Sequence, residues 1–336
     1  MVDGKKLKKI LIQIFKKRGL SISHATISAD ALINAEYVGA YGHGISRLKM
    51  YCDRIKKKVI NPKPSIKIKK ISNSISFIDA NNSIGFVAAD TAIKTLIKNT
   101  KKTGIGLVGV KNSGHYGLSG YYVEQAVKKN LMVWCFTNAP PAIAPFGAKK
   151  TLFGTNPICF GTPSGGKVPF ILDTSVSMIN RGIIRVAARL GKNIPAGVAL
   201  DKNGNPTINA KKALEGVQLP IGGFRGSGLA WMVDILSGVM TGAGHSGKVR
   251  DPFDDFRGPQ NVGHLFLAIK PNIFIGKNYI KRIKDNIKTI KRLPKIKGIK
   301  EIMYPGQNKY KRFKMNSKKE INISEVVKKD LKILKN

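Results

Sequence analysis

The sequence predicts a mixed α/β protein in which a sheet with flanking helices is inserted into a mainly helical domain. Apolar residues near both ends of the chain recur at spacings of three and four, the period of amphipathic helices. Between the ends, short apolar runs with the period of strands alternate with helical segments. We therefore predict that residues 1–72 and 266–336 form one helical domain and that residues 73–265 form an inserted α/β domain.

The first sixty residues predict three helices. Leu7 and Leu11 begin an apolar face with helical spacing. Ser23 is the predicted N-cap of the second helix, because a serine hydroxyl can accept a hydrogen bond from a free amide at a helix start. The third helix is predicted over residues 47–57 and must end before Pro62, since proline restricts the backbone that precedes it.

From residue 66 onward the apolar period changes, and strands alternate with helices. The 42% hydrophobic content is enough to give this array a buried core. The predicted strands cover residues 66–71, 75–79, 105–110, 132–136, 157–161, 170–172 and 265–269, and the predicted helices cover residues 88–100, 117–129, 178–190, 226–241, 277–292 and 326–334.

Positive charge is strongly in excess and is concentrated at the two ends. The chain carries 59 Lys and Arg against 19 Asp and Glu, a formal charge of +40. Residues 1–75 hold 17 basic and 4 acidic side chains, and residues 266–336 hold 21 and 5. A nucleic-acid-binding protein gathers cations on one face, but lysine-rich helix faces exposed to solvent give the same excess of basic residues. We favour solvated faces and do not expect nucleic-acid binding, because no motif for it accompanies the charge.

Cysteine usage and hydropathy predict a cytoplasmic protein. Cys52, Cys135 and Cys159 are odd in number and far apart, which fits neither a disulfide framework nor a zinc site. No apolar run approaches the ~18 residues that a membrane span needs. The apolar stretch 10–15 is too short and too closely flanked by lysines for a signal peptide. We therefore expect neither a bound metal nor contact with a membrane.

Two glycine-rich segments are candidates for binding phosphate. Residues 104–109 read G-I-G-L-V-G and match the pattern of dinucleotide-binding folds, but that pattern requires the glycines to follow a strand and open a helix. Here they alternate with apolar residues and predict a buried strand. Residues 220–229 run directly into an apolar helix, whose free amides, with Arg225, could hold a phosphate or carboxylate. The alternative is a plain loop and helix cap with a surface arginine.

Two of the five histidines have neighbours that suit chemistry. His43 lies among small residues, and Arg47, one helical turn later, could hold a carboxylate through two hydrogen bonds. His115 follows the predicted strand 105–110 and precedes a helix, a position where pockets form in α/β proteins. A histidine there suits proton transfer near neutral pH. The alternative is a solvated loop histidine without a catalytic role.

Short motifs occur in a fixed order along nearly the whole chain. They are G-H-G-I-S-R (42–47), N-S-G-H (112–115), P-F-G (145–147), G-T-N-P (154–157), D-T-S (173–175), I-P (194–195), the segment 220–229 with M-V-D-I-L-S-G (232–238), and Y-P-G-Q (304–307). Together they resemble the malate/L-lactate dehydrogenase family. That family also contains ureidoglycolate, sulfolactate and diketogulonate oxidoreductases and the pyrroline/piperideine-2-carboxylate reductases.

The resemblance implies a homodimeric enzyme that uses NAD or NADP and has the L-sulfolactate dehydrogenase-like fold, which is not a Rossmann fold. It implies that the inserted domain binds the cofactor. It also implies that His115 donates and accepts the proton, and that His43 and Arg47 face a small carboxylate substrate. The cofactor contacts that it implies are Asp173, Thr174, Ser175, Arg225, Gly306 and Gln307.

The reaction implied by the resemblance is hydride transfer between nicotinamide and C2 of a small 2-hydroxy or 2-keto acid of the malate, lactate or ureidoglycolate type. Three positions depart from the usual family residues: Gly42 occupies the position of a serine, and Ile183 and Arg225 occupy the positions of lysines. The imine reductases also lack the first of these lysines, so an alternative reaction is reduction of a cyclic imine beside a carboxylate. An alternative of another class is a basic nucleic-acid-binding protein with a decayed enzyme site.

Overall fold

The computed structural model describes residues 1–335, and its N-terminal part is helical. Ser21 caps the second helix, because its extended backbone lets Oγ accept the amide hydrogen of His24 at 3.2 Å. The prediction that Ser23 is the cap was wrong, since Ser23 already lies in the first helical turn. The three helices are α1 (Gly4–Lys17), α2 (Ile22–Tyr37) and α3 (Leu48–Lys56), and two short 3-10 turns, Tyr41–His43 and Ile45–Arg47, connect α2 to α3.

A seven-stranded mixed sheet forms the centre of the fold, as predicted. Its strands are β1 (Lys67–Lys70), β2 (Ile75–Asp79), β3 (Ile105–Ser113), β4 (Met132–Thr137), β5 (Ile158–Thr162), β6 (Phe170–Thr174) and β9 (Val262–Ile269), and two further short strands, β7 (Ala199–Leu200) and β8 (Val217–Gln218), pair with each other. Along the sheet the order is β1-β2-β3-β9-β4-β5-β6. Only β2 and β3 run parallel; the other neighbours are antiparallel.

The last strand in the chain occupies the middle of the sheet. Phe266 of β9 lies opposite Val108 of β3 on one side and opposite Cys135 of β4 on the other. The glycine-rich residues 104–109 therefore lie mostly within β3, between β2 and β9, and the prediction of a strand there is confirmed. Their amides take part in a sheet ladder, which leaves few of them for a phosphate.

Two helices cover one face of the sheet. They are α4 (Gly85–Thr103) and α5 (Ser119–Val127), and their buried alanines and valines share one core with the strands. Gly106 permits a close approach of α4, because a Cβ atom at that position would lie 2.4 Å from Thr100 Oγ1. The glycine in this strand thus has a packing role rather than a ligand-binding one.

A small subdomain follows β6. It contains α6 (Arg181–Arg189) and α7 (Ala210–Glu215) with β7 and β8, and these elements bury a separate apolar cluster around Ile184 and Val198. Helix α8 (Phe224–Asp234) comes next and continues as a π-helical segment over Ile235–Val239.

Three helices complete the described chain: α9 (Asn278–Arg292), α10 (Gln307–Asn316) and α11 (Glu325–Lys335). Leu331 and Leu334 of α11 join the core formed by α1, α2 and α3, so both ends of the chain share that core. The two-domain division stays a prediction. None of the helices within residues 1–335 is both long and apolar enough to cross a membrane.

Candidate active site

The fold brings His43, Arg47 and His115 into one cleft of about 390 Å³. His43 and Arg47 come from the 3-10 turns before α3, and His115 comes from the loop between β3 and α5. The two imidazole rings are nearly parallel, with centroids 5.5 Å apart and an interplanar angle of 4°. Residues that lie far apart in sequence therefore form a single cluster.

A buried carboxyl group holds the turn that carries His43 and Arg47. Glu36 of α2 accepts the amide hydrogen of Ile45 at 2.8 Å, and burial raises the pKa of this carboxyl to about 7. Arg47 Nε donates to the Gly42 carbonyl at 2.8 Å. These two contacts hold the turn, and one terminal nitrogen of Arg47 makes a long contact of 4.0 Å with Met50 Sδ while the residue lines the cleft.

His115 is fixed by contacts from three distant segments. Its Nδ1 lies 2.6 Å from the hydroxyl of the buried Tyr51, and its amide donates to Gln260 Oε1 at 3.0 Å. A Cβ atom at Gly85 would collide with the His115 carbonyl, so the start of α4 supports the same loop. Sequence reasoning missed Tyr51, although it lies in α3 only four residues after Arg47.

The surroundings of both histidines favour the neutral imidazole. Burial, and then the positive charge of Arg47, holds the pKa of His115 well below its usual range. The same causes lower the pKa of His43 to about 4. His43 Nδ1 is buried and has no hydrogen-bond partner within residues 1–335. Burial also raises the pKa of Tyr51, so its hydroxyl keeps its proton and can either donate to or accept from His115.

Asp173, at the end of β6, also lines the cleft. Its Oδ2 accepts hydrogen bonds from Lys309 Nζ at 2.9 Å and from the Gly120 amide at 3.1 Å. Behind this ion pair lies a second cavity of about 670 Å³. Leu118, Asp173 and Lys309 line both cavities, so the two spaces meet at the ion pair.

The predicted cofactor residues divide into two groups. Ser175 lines the cleft with Asp173, and the exposed Thr174 lies between them. Gly306 lines the second cavity, and its neighbour Gln307 accepts the Tyr304 amide hydrogen through Oε1. By contrast, Arg225 is an exposed residue in the first turn of α8 and lines neither cavity.

A buried arginine shapes the rim of the cleft. Arg54 of α3 donates hydrogen bonds to the carbonyls of Asp255 and Gly258 at 2.9 and 3.1 Å. These bonds hold the loop that places Phe253 against Arg47, whose guanidinium carbon lies 5.0 Å from the ring centre.

The cleft as a whole offers neutral imidazoles for proton exchange beside a fixed cation for an acidic ligand. Residues 1–335 hold no group of three His, Cys, Asp or Glu that could bind a metal ion.

Known proteins resemble this chain over almost its full length. The family profile described as Malate/L-lactate dehydrogenase matches residues 2–332. A malate/(S)-sulfolactate dehydrogenase of Methanothermus fervidus is 34% identical over 335 residues, covering 99% of this chain and 96% of that protein. The structure of sulfolactate dehydrogenase from Methanocaldococcus jannaschii matches with a TM-score of 0.93 and 36% identity, covering 99% and 96% of the two chains. The structure of delta1-piperideine-2-carboxylate reductase from Pseudomonas syringae pvar. tomato matches with a TM-score of 0.89 and 28% identity, covering 99% of each chain.

Proposed function

The chain belongs to the malate/L-lactate dehydrogenase family, and from this premise we propose how its cleft performs hydride transfer between nicotinamide and C2 of a small 2-hydroxy or 2-keto acid. The protein is an NAD(P)-dependent oxidoreductase. The observation that carries the proposal is the contact of His115 with Tyr51 in a cleft that also holds Arg47. It supports a proton-exchanging group beside an anion-binding one.

His115 is the proposed proton acceptor and donor. Because Nδ1 lies against Tyr51, Nε2 is the nitrogen left to meet the substrate. In oxidation, neutral His115 takes the proton of the 2-hydroxyl group; in reduction, the imidazolium returns it to the oxygen at C2. Arg47 lowers the pKa of His115 in the free protein. A substrate carboxylate bound to Arg47 offsets that charge and eases protonation of His115.

Arg47 is the proposed carboxylate ligand. Its Nε is occupied by the Gly42 carbonyl, so a carboxylate would bind end-on to the two terminal nitrogens and replace the long contact of one of them with Met50 Sδ. The same hydrogen bond restricts rotation of the guanidinium before the substrate arrives. His43 stacks on His115 and completes this substrate-side wall.

The cofactor-binding residues are proposed to be those around the two joined cavities. Asp173, Thr174 and Ser175 would hold NAD or NADP from one side, and Gly306 and Gln307 from the other. Two cavities that meet at Asp173 suit an elongated dinucleotide better than either cavity alone. When bound, nicotinamide supplies or accepts the hydride. The contact from Arg225 stays a prediction, because this residue lies apart from both cavities.

A homodimer in the cytoplasm is proposed as the working form. Helix α8 exposes large apolar side chains, among them Phe224 and Trp231, which are 74% and 60% exposed. Exposed apolar patches of this kind mark interaction sites. The three free, buried cysteines suit a reducing compartment. A monomeric mass in light scattering would contradict the dimer.

Reduction of a cyclic imine is the second candidate. The structural similarity to delta1-piperideine-2-carboxylate reductase favours it, and so does Ile183, which leaves the chain without the lysine usual at that position. In both reactions Arg47 would hold a carboxylate beside the carbon that receives the hydride.

The test is a panel of 2-keto acids and cyclic imine carboxylates, each followed by the absorbance of NADH and NADPH. We expect keto acids with a carboxylate at C1 to be reduced. Turnover of imines alone would favour the second candidate. No oxidation of either cofactor with any member of the panel would contradict the proposal.

A further inference from the structure

Helix α6 places two further arginines, Arg181 and Arg185, in the cleft. Arg185 lines the same cleft as Arg47, and its guanidinium carbon lies 5.3 Å from the ring centre of Phe253. Arg47 lies 5.0 Å from the same ring centre. Two guanidinium groups therefore lie against one aromatic ring, so two cations are close together in the cleft.

Neither of these two cations is neutralised by an ion pair, although the negative charge of Asp251 acts to raise the pKa of Arg47. Within residues 1–335, neither Arg47 nor Arg185 forms an ion pair with a carboxylate. Asp251 also lines the cleft, but its Oδ1 accepts the amide hydrogens of Phe253 and Asp254 at 2.7 and 3.2 Å.

The two arginines are close enough to repel each other. Burial is the main cause of the lowered pKa of Arg47, and the positive charge of Arg185 adds to it. Anions bound to both guanidinium groups would remove this repulsion.

The two cations that α6 contributes to the cleft lie on either side of Ile183 in the sequence. Ile183, where the family usually has a lysine, is 58% exposed and does not line the cleft. Arg185, two residues later, does line it.

We infer that Arg185 binds a second acidic group of the substrate, while Arg47 binds the carboxylate at C1. The inference rests on the proposed function and narrows it to 2-hydroxy acids that carry a carboxylate or sulfonate at their far end. A substrate with one carboxylate would leave Arg185 without a partner. Arg185 is thus a specificity-determining residue.

The test compares Arg185→Gln with the matched control Arg189→Gln, which makes the same charge change one turn later on α6, outside the cleft. The kcat/KM values for malate and for lactate are measured at saturating cofactor. We expect the malate-to-lactate ratio to fall about 10- to 100-fold in Arg185→Gln, the effect of losing a charge-assisted hydrogen bond. In Arg189→Gln the ratio should stay within about twofold of wild type.

A binding measurement separates this inference from the proposed function. Calorimetry with succinate and butyrate, a dianion and a monoanion of similar size, needs no turnover. We expect Arg185→Gln to weaken succinate binding selectively. If the wild-type protein binds succinate through Arg185 but oxidises no hydroxy acid, the proposed reaction fails and the anion site stands.

Two results would overturn the inference. One is an unchanged preference for malate and succinate in Arg185→Gln. The other is a raised KM for NAD or NADP with an unchanged malate-to-lactate ratio, which would assign Arg185 to the cofactor. Circular dichroism of both variants checks that α6 still folds.

Discussion

The cleft and helix α9 are both rich in cations, but they place them differently. Helix α9 carries six basic residues and one acidic residue over Asn278–Arg292, and none of its residues is buried. Its Lys291 pairs with Glu301 at 2.7 Å, in an exposed contact of the kind that contributes little to stability. In the cleft, Arg47 is held by the Gly42 carbonyl and packs over Phe253.

This difference shows that net charge is a poor guide to function in this chain. The +40 formal charge is spread mainly over solvated surfaces, where water and salt screen it. A few fixed cations in the cleft have lost part of their hydration and can recognise one ligand. Changes in the cleft should therefore alter catalysis far more than larger changes of charge on α9.

The largest effect is expected for His115→Ala. This change removes the proton-exchanging group, and general acid–base catalysis is worth about 100- to 10,000-fold. We expect kcat to fall by that factor while affinity for the dinucleotide, measured by fluorescence titration, is kept. A variant with nearly normal kcat would exclude His115 from the mechanism.

Tyr51→Phe should have the next largest effect. The change keeps the ring, which packs 4.9 Å from Phe86, and removes only the hydroxyl next to His115 Nδ1. A buried nitrogen left without a partner costs about 1–3 kcal/mol, so we expect kcat to fall about 5- to 100-fold. Unchanged kcat with a lowered melting temperature would make Tyr51 a purely structural residue.

Arg47→Lys should mainly raise the KM of the substrate. A lysine ammonium cannot reproduce two parallel hydrogen bonds to a carboxylate. We expect an increase of about tenfold, the effect of one lost charge-assisted hydrogen bond. If the loss appears instead in the KM of NAD or NADP, Arg47 belongs to the cofactor side of the cleft.

The pH dependence of oxidation should reflect the buried environment of His115. Its pKa lies well below 6.5 in the free protein, so the neutral form that accepts a proton persists below that pH. We therefore expect kcat/KM for hydroxy-acid oxidation to stay constant as pH falls through 6.5 and to decline only in more acidic solution. A decline centred at or above pH 6.5 would show that His115 is solvated.

The smallest effect is expected on α9. Replacing Lys281, Lys284 and Lys288 with glutamine removes three exposed charges, and we expect kcat/KM to stay within about twofold of wild type. Fluorescence anisotropy with duplex DNA tests the nucleic-acid alternative in parallel. Steep salt-dependent DNA binding that is lost in this variant, together with no NADH binding by the wild-type protein, would favour that alternative.

Local patterns predicted most of the secondary structure. Helical spacing of apolar residues located α1, α3 and α9 within a few residues, and the apolar alternation of residues 105–110 located β3. The short helix α7 and the polar helix α10 were missed, because neither has an apolar face long enough to show a period.

The contacts that hold the site residues in place come from distant parts of the chain and could not be predicted from the local sequence. Gln260 reaches the His115 amide from the loop before β9, and Arg54 holds the loop of Phe253 from α3. The contact between Gln260 and His115 exists because β9, which follows Gln260, lies in the middle of the sheet. Local sequence contains no signal for such pairings, whereas His115 and Arg47 were identified from their immediate neighbours.

Isotope transfer tests the central claim most directly. The protein is incubated with a 2-keto acid and NADH or NADPH in which both hydrogens at C4 of the nicotinamide are deuterium, and the product is analysed by mass spectrometry and NMR. The proposed reaction predicts one deuterium at C2 of the 2-hydroxy acid, transferred by the wild-type protein and transferred about 100- to 10,000-fold more slowly by His115→Ala. A hydroxy acid without deuterium at C2, or label found only in the reduced product of a cyclic imine, would contradict hydride transfer to a 2-keto acid.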